Sequence, residues 1–167
     1  MKNIPDFILK SIANEPDYSK SFSRKISALA QSIRELTHLG VTHCESMDYC
    51  PAQYLEIYLN GQIDHPSKTE YIFEIRFYIS SKADLFFVYI NDKKGRIKNA
   101  FGKSHPISID LLPEKTQNLI FRIKYFLIES GYQEVLYEFY DREAVGYLTQ
   151  MDGLPANIFE ALFAEIV

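Results

Sequence analysis

Apolar and polar residues alternate with a period of two over residues 54–60, 70–79 and 132–140. One phase holds Leu55, Ile57 and Leu59, then Tyr71, Phe73, Ile75, Phe77 and Ile79, then Val135, Tyr137 and Phe139. The other holds Glu56, Tyr58, Glu70, Glu74, Arg76, Tyr78, Tyr132, Glu134, Glu138 and Tyr140. Neighbouring side chains of a strand point to opposite faces, so the pattern predicts a sheet with one apolar face and one face of carboxylates and phenols. Residues 85–91 are apolar in both phases, which predicts a central strand covered at least in part on both sides.

Elsewhere the period lengthens. Phe22, Ile26, Leu29, Ala30, Ile33 and Leu36 recur at steps of three and four, predicting a helix with Ser19 or Ser21 at its start and Gly40 as its left-handed cap. A second helix, opened by Pro113 and closed near Gly131, carries Leu119, Ile120, Ile123, Phe126 and Leu127 on its inner stripe. A short helix fits 5–13, and Ile158, Phe159, Leu162, Phe163 and Ile166 predict a strongly apolar final one. Residues 41–48 suit an edge strand, 62–69 a loop, and 91–95 a hairpin turn with a return strand at 96–102. Residues 141–150 read as helix or loop. The expected fold is α+β: a mainly antiparallel sheet of four to six strands with helices packed on one face, in a single domain spanning 1–167.

Composition narrows the class. The chain has 167 residues, 47% of them apolar and 24% charged, which suits one globular core without staples. Aromatics reach 14%, as twelve Tyr and twelve Phe with no Trp. A net charge of −4 argues against a nucleic-acid backbone binder, which needs a basic stripe, and is compatible with a basic protein partner. No apolar run approaches the roughly 20 residues that span a bilayer, and Met1-Lys2-Asn3-Ile4 opens no secretory leader pattern. Two cysteines, Cys44 and Cys50, make no disulfide framework and fit reduced thiols. A cytoplasmic protein is expected.

Candidate chemistry centres on the polar sheet face: Glu56, Tyr58, Glu74, Arg76, Tyr78, Glu134 and Glu138. Carboxylates on adjacent strands sit about 5 Å apart and repel unless a cation intervenes. Arg76 supplies one cation, and a Lys- or Arg-rich partner would supply more, with tyrosines giving contact area at small entropic cost. The plainer reading is a well-solvated strand face, since Tyr favours strands and Glu–Arg pairs steady them. Paired carboxylates also suit acid–base catalysis, but no signature accompanies them.

Other groupings are weaker. His38, His43, Cys44, Asp48 and Cys50 have zinc-ligand chemistry without zinc-motif spacing, so neither a metal nor another cofactor is expected. No Gly-x-Ser-x-Gly elbow or Gly-rich phosphate loop is present. The basic hairpin Lys93-Lys94-Gly95-Arg96-Ile97-Lys98 reads first as a solvated turn guarding an edge strand. Residues 157–167 read first as core closure and second as a homodimer face. In size, charge and aromatic-rich surface, without a shared motif, the chain resembles the small acidic immunity or inhibitor proteins that bacteria pair with a toxic enzyme. That resemblance implies a non-enzymatic module working by occlusion of a basic active site. The rival expectation is a small enzyme or ligand-binding domain with a pocket between sheet and helices, lined by His105 or paired carboxylates.

Overall fold

The computed structural model describes residues 3–45, 50–59, 73–92, 105–150 and 152–163. The expected turn at Asn60-Gly61, the loop 62–69, Glu70, Tyr71, the basic hairpin, the return strand at 96–102, Asp48 and residues 164–167 lie outside them.

The fold is α+β. Strands β1 (Gly40–Cys44), β2 (Ala52–Tyr58), β3 (Phe73–Ser80), β4 (Leu85–Asp92) and β5 (Gln133–Glu134) form one sheet in that order. The first four pair antiparallel, and β5 joins β4 in parallel. Helices α1 (Asp6–Ile12), α2 (Lys20–Thr37), α3 (Glu114–Glu129) and α4 (Ile158–Leu162) surround it, with a hairpin of β6 (Glu143–Leu148) and β7 (Pro155–Asn157).

The helix-facing phase of the sheet is the expected one. Leu55 lies in register with Phe77 and Val88, and Ile57 with Ile75 and Ile90. The stripes of α2 (Phe22, Ile26, Ala30, Ile33) and α3 (Ile120, Ile123, Leu127) bury these residues in an aliphatic core. Ser19 caps α2, its hydroxyl accepting from the Phe22 amide. The other end differs from expectation. His38, not Gly40, takes the left-handed conformation (φ 57°) and donates its amide to the Arg34 carbonyl, while Gly40 already belongs to β1. A helix end needs only one such residue, and β1 needs every residue left before Cys44 to pair with β2.

The opposite face holds a second core. Tyr54, Tyr78 and Phe87 are in register across β2, β3 and β4, and Phe159 of α4 lies edge-on against Tyr78 and Phe87, 5.1 and 5.2 Å between centroids. Ile8 and Ile12 of α1 and Ala144 and Ala156 of the β6–β7 hairpin join it. A capping box starts α4: the Asn157 side chain accepts from the Glu160 amide, and the Glu160 carboxylate accepts from the Asn157 amide. The buried Ser80 hydroxyl donates to the Leu162 carbonyl and holds the far end of α4 to the sheet. Residues 158, 159, 161, 162 and 163 are all buried, so the segment from 157 closes the core over its described part, as its first reading has it.

Two further expectations are corrected. The alternating run 132–140 is not one strand: β5 has two residues, and Tyr137–Phe139 form a short 3-10 turn. Val135, Phe139 and Tyr140 reach the second core through this turn, at the four-residue spacing of Val135 and Phe139 rather than through alternation. Residues 143–148, expected as helix or loop, are β6; its sole fully buried side chain is Ala144, and Gly146 (φ 84°) breaks its register, so no period of two shows.

Candidate functional site

The residues expected on one polar plane occupy three places. Glu56, Arg76 and Tyr89 stand in register across β2, β3 and β4, with Tyr58 and Glu74 in the same phase nearer the strand ends. Tyr78 shares that phase but lies under α4 and is buried. Glu134 is on the helix side: it pairs with Phe86 of the aliphatic core, and its Oε2 accepts from Lys124 Nζ of α3 at 2.8 Å. The phase of β5 is therefore inverted relative to its sequence pattern. Glu138 is exposed on the 3-10 turn, off the sheet.

Arg76 organises what remains. Its Nη2 pairs with Glu74, its Nε lies 3.7 Å from Glu56 Oε2, and its guanidinium sits over the Tyr54 ring, 4.5 Å from the centroid. Nη1 reaches the Tyr78 hydroxyl at 3.5 Å. The pair of carboxylates is thus bridged by an internal cation, as crowding on adjacent strands demands. Their side chains are 14% and 12% exposed, so this is a half-sheltered ionic cluster rather than a freely hydrated one. Burial alone would loosen the Arg76 proton, but the Tyr78 hydroxyl and the Glu74 carboxylate outweigh it and hold the guanidinium charged. The phenols move the other way: burial raises the Tyr54, Tyr78, Tyr89 and Tyr140 pKa values, since a phenolate there would lose its water.

From this cluster a band of touching polar aromatics crosses the second face. The Tyr78 and Tyr89 rings meet at 6.0 Å, Tyr89 and Tyr140 at 6.5 Å, and Tyr140 and His105 at 4.7 Å. His105 Nε2 lies 3.9 Å from the Asp141 carboxylate, and the Tyr137 hydroxyl donates to the Pro106 carbonyl at 2.9 Å beside His105 Nδ1. Tyr89, Tyr137, Tyr140, His105 and Asp141 were not singled out together by the sequence. Tyr89 is hidden in a continuous apolar run, and the others come from two segments brought side by side by the turn after β5. The one sequence signal was the surplus of Tyr itself.

Of the side chains with zinc-ligand chemistry, His43 is engaged in a hydrogen-bond relay. His43 shares its ring with Ser27 (Nδ1 to Oγ, 2.8 Å) and Gln53 (Nε2 to Oε1, 2.6 Å), and Gln53 donates on to Ser23 at 2.7 Å. That relay ties β1 and β2 to α2. Among the described residues no group of three or more His, Cys, Asp or Glu side chains gathers as a metal site. Cys44 and Cys50 are half-buried thiols, and Cys44 lies opposite Tyr54 in the β1–β2 register.

The cavities described lie away from the carboxylate pair. One of about 220 Å³ sits between the turn after α1, β6 and α4, with Lys82, Tyr147 and Glu160 on its wall. Lys82 donates to the Ile12 carbonyl at 3.0 Å and lies over the Tyr147 ring at 5.1 Å; burial lowers its pKa. A more apolar groove of about 320 Å³ runs between Phe7, Ile128, Leu136 and Phe139. Among the described residues no helix is long and apolar enough to cross a membrane. Comparison with protein-family models, with curated proteins and with solved structures finds no match to this chain.

Proposed function

We propose that the chain is a cytoplasmic, non-enzymatic protein-interaction module that receives a basic protein partner on the second sheet face, as an immunity or inhibitor protein would. The observation that supports it is the connected band from Glu56 and Glu74 through Arg76, Tyr78 and Tyr89 to Tyr140, His105 and Asp141, with Tyr58 in the same strand phase as Glu56. Such a band suits a basic surface for two physical reasons. Carboxylates at its two ends raise the encounter rate with a positive partner, and the half-buried Tyr58 and Tyr89, with Tyr78 and Tyr140 buried within the same face, give rigid contact area that sets residence time. Arg76 keeps Glu56 and Glu74 fixed, so little side-chain entropy is lost on docking. The docking residues are accordingly Glu56, Tyr58, Glu74 and Arg76, joined by Tyr89 and Asp141; Tyr78 supports the band from beneath, and Glu134 takes no part.

The test is capture on the immobilised full chain, identification of what binds, and calorimetric titration against variants. Glu56→Gln/Glu74→Gln and, separately, the more exposed Asp141→Lys are expected to weaken a basic partner about tenfold or more, with circular dichroism unchanged. A captured protein that binds all variants as tightly as the parent chain ends the proposal. A small-ligand role has one observation of its own, the half-buried Lys82 in its cavity, whose lowered pKa suits carbonyl chemistry.

A further inference from the structure

Helix α3 turns an apolar stripe outward as well as inward. Phe121, Tyr125 and Ile128, spaced by four and three residues, are 47%, 65% and 49% exposed. Residues at this spacing lie one above another on a single side of a helix. Leu136 (44% exposed) shares the groove of about 320 Å³ with Ile128 at the end of the stripe. The second sheet face, with its ionic cluster, is on the other side of the molecule from α3, so this surface is separate from the docking band.

We infer that the stripe is a homodimer interface, in which α3 packs antiparallel against α3 of a second copy about a two-fold axis beside Tyr125. The argument is self-complementarity. Reversing the helix about Tyr125 sets Phe121 of one copy over Ile128 of the other, twice, with the two Tyr125 rings meeting at the axis. An isologous contact requires each side to match its own reverse. The charges obey the same symmetry. Arg122 and Glu129 lie on the same flank of the stripe, three residues before and four after Tyr125, so reversal brings Arg122 opposite the second copy's Glu129 in two equivalent pairs. Arg122 already gives one N–H to the Leu36 carbonyl at 3.0 Å, which steadies the exposed guanidinium, and a guanidinium has four further N–H donors. A partner of unrelated sequence would not need this mirrored order of ring, cation, ring, aliphatic and anion. The dimer would carry its two Glu/Tyr bands on outward-facing surfaces.

Sedimentation of the full chain over about 1–300 µM tests the inference, since an interface of a few aromatic anchors per side falls near micromolar affinity. The expected result is a concentration-dependent rise from 19.4 kDa to twice that mass. Tyr125→Glu is expected to abolish the rise without changing circular dichroism. Arg122→Glu is expected to weaken dimerisation about tenfold, and adding Glu129→Arg to restore it. A parent chain that stays at 19.4 kDa throughout overturns the dimer and leaves the stripe to a different protein. A dimer unaffected by Tyr125→Glu, or a double charge swap no better than the single one, overturns the placement on α3.

Discussion

The two faces of the central sheet are built from the same alternating strands, yet they bury their residues by different chemistry. The helix side is mainly aliphatic, with Phe22, Phe73, Phe77 and Phe86 set among Ile, Leu and Val, and is sealed by the stripes of α2 and α3. The other side is aromatic and amphipathic: phenol rings pack beneath α4 over one half and continue into an ionic cluster over the other. The difference teaches that a period of two identifies strands and separates their faces without saying which face is wet. Tyrosine is the reason, because its ring buries as readily as phenylalanine while its hydroxyl counts as polar. Tyr78 is buried, unlike the other tyrosines of β2, β3 and β4, although its neighbours in phase are Glu74 and Arg76.

The strongest test of that comparison is to delete a ring from each side. Phe159→Ala and Phe77→Ala are each expected to cost about 3–5 kcal/mol in denaturant unfolding, because both side chains are fully buried. A Phe159→Ala cost below about 1 kcal/mol beside a full cost at Phe77 would return the second face to solvent.

High pH comes next. Tyr54, Tyr78, Tyr89 and Tyr140 hold their protons more tightly in the folded chain than in the unfolded one, where a phenol titrates near 10. Their contribution to stability is therefore complete below about pH 10 and is lost as pH rises through the higher folded values. Tyrosinate absorbance and circular dichroism should report these phenols ionising together with unfolding. Tyr140→Phe should move the alkaline midpoint upward. Ionisation of the whole tyrosine complement with the fold intact would show that the second core is hydrated.

The smallest contrast separates the ionic cluster from a rim pair. Arg76→Met leaves two sheltered carboxylates facing each other and is expected to cost about 1–3 kcal/mol. Lys25→Met breaks a pair with Asp84 whose side chains are 52% and 66% exposed, and should change stability by about 0.5 kcal/mol or less. Equal costs in thermal or urea unfolding would mean that Arg76 is as solvated as Lys25.

Much of the architecture was legible in the chain. The stripes of α2 and α3, the strands β2, β3 and β4, and the edge position of β1 follow from local period and cap chemistry. What escaped has a common cause, contacts set by distant segments. Gln133 and Glu134 alternate with Tyr132 and Val135 as a strand should, but the face each residue takes is decided by where β5 meets β4. That register sends Glu134 toward Lys124 and Val135 toward α4. The hairpin β6–β7 has no period of its own because its role is to lay Ala144 and Ala156 over rings from other strands. Within the candidate site, Glu56, Tyr58, Glu74 and Arg76 were legible as one phase of two strands. The company of Tyr89, His105 and Asp141 was not, since it depends on the turn at Tyr137–Phe139.

Strand β3 belongs to both layers at once. Ile75, Phe77 and Ile79 point one way, Tyr78 the other, and Ser80 grips the last turn of α4. Neither layer can come apart without unseating this shared beam, so heat should take the aliphatic and aromatic halves together. A lesion hidden on one side would then be felt as slackness on the other.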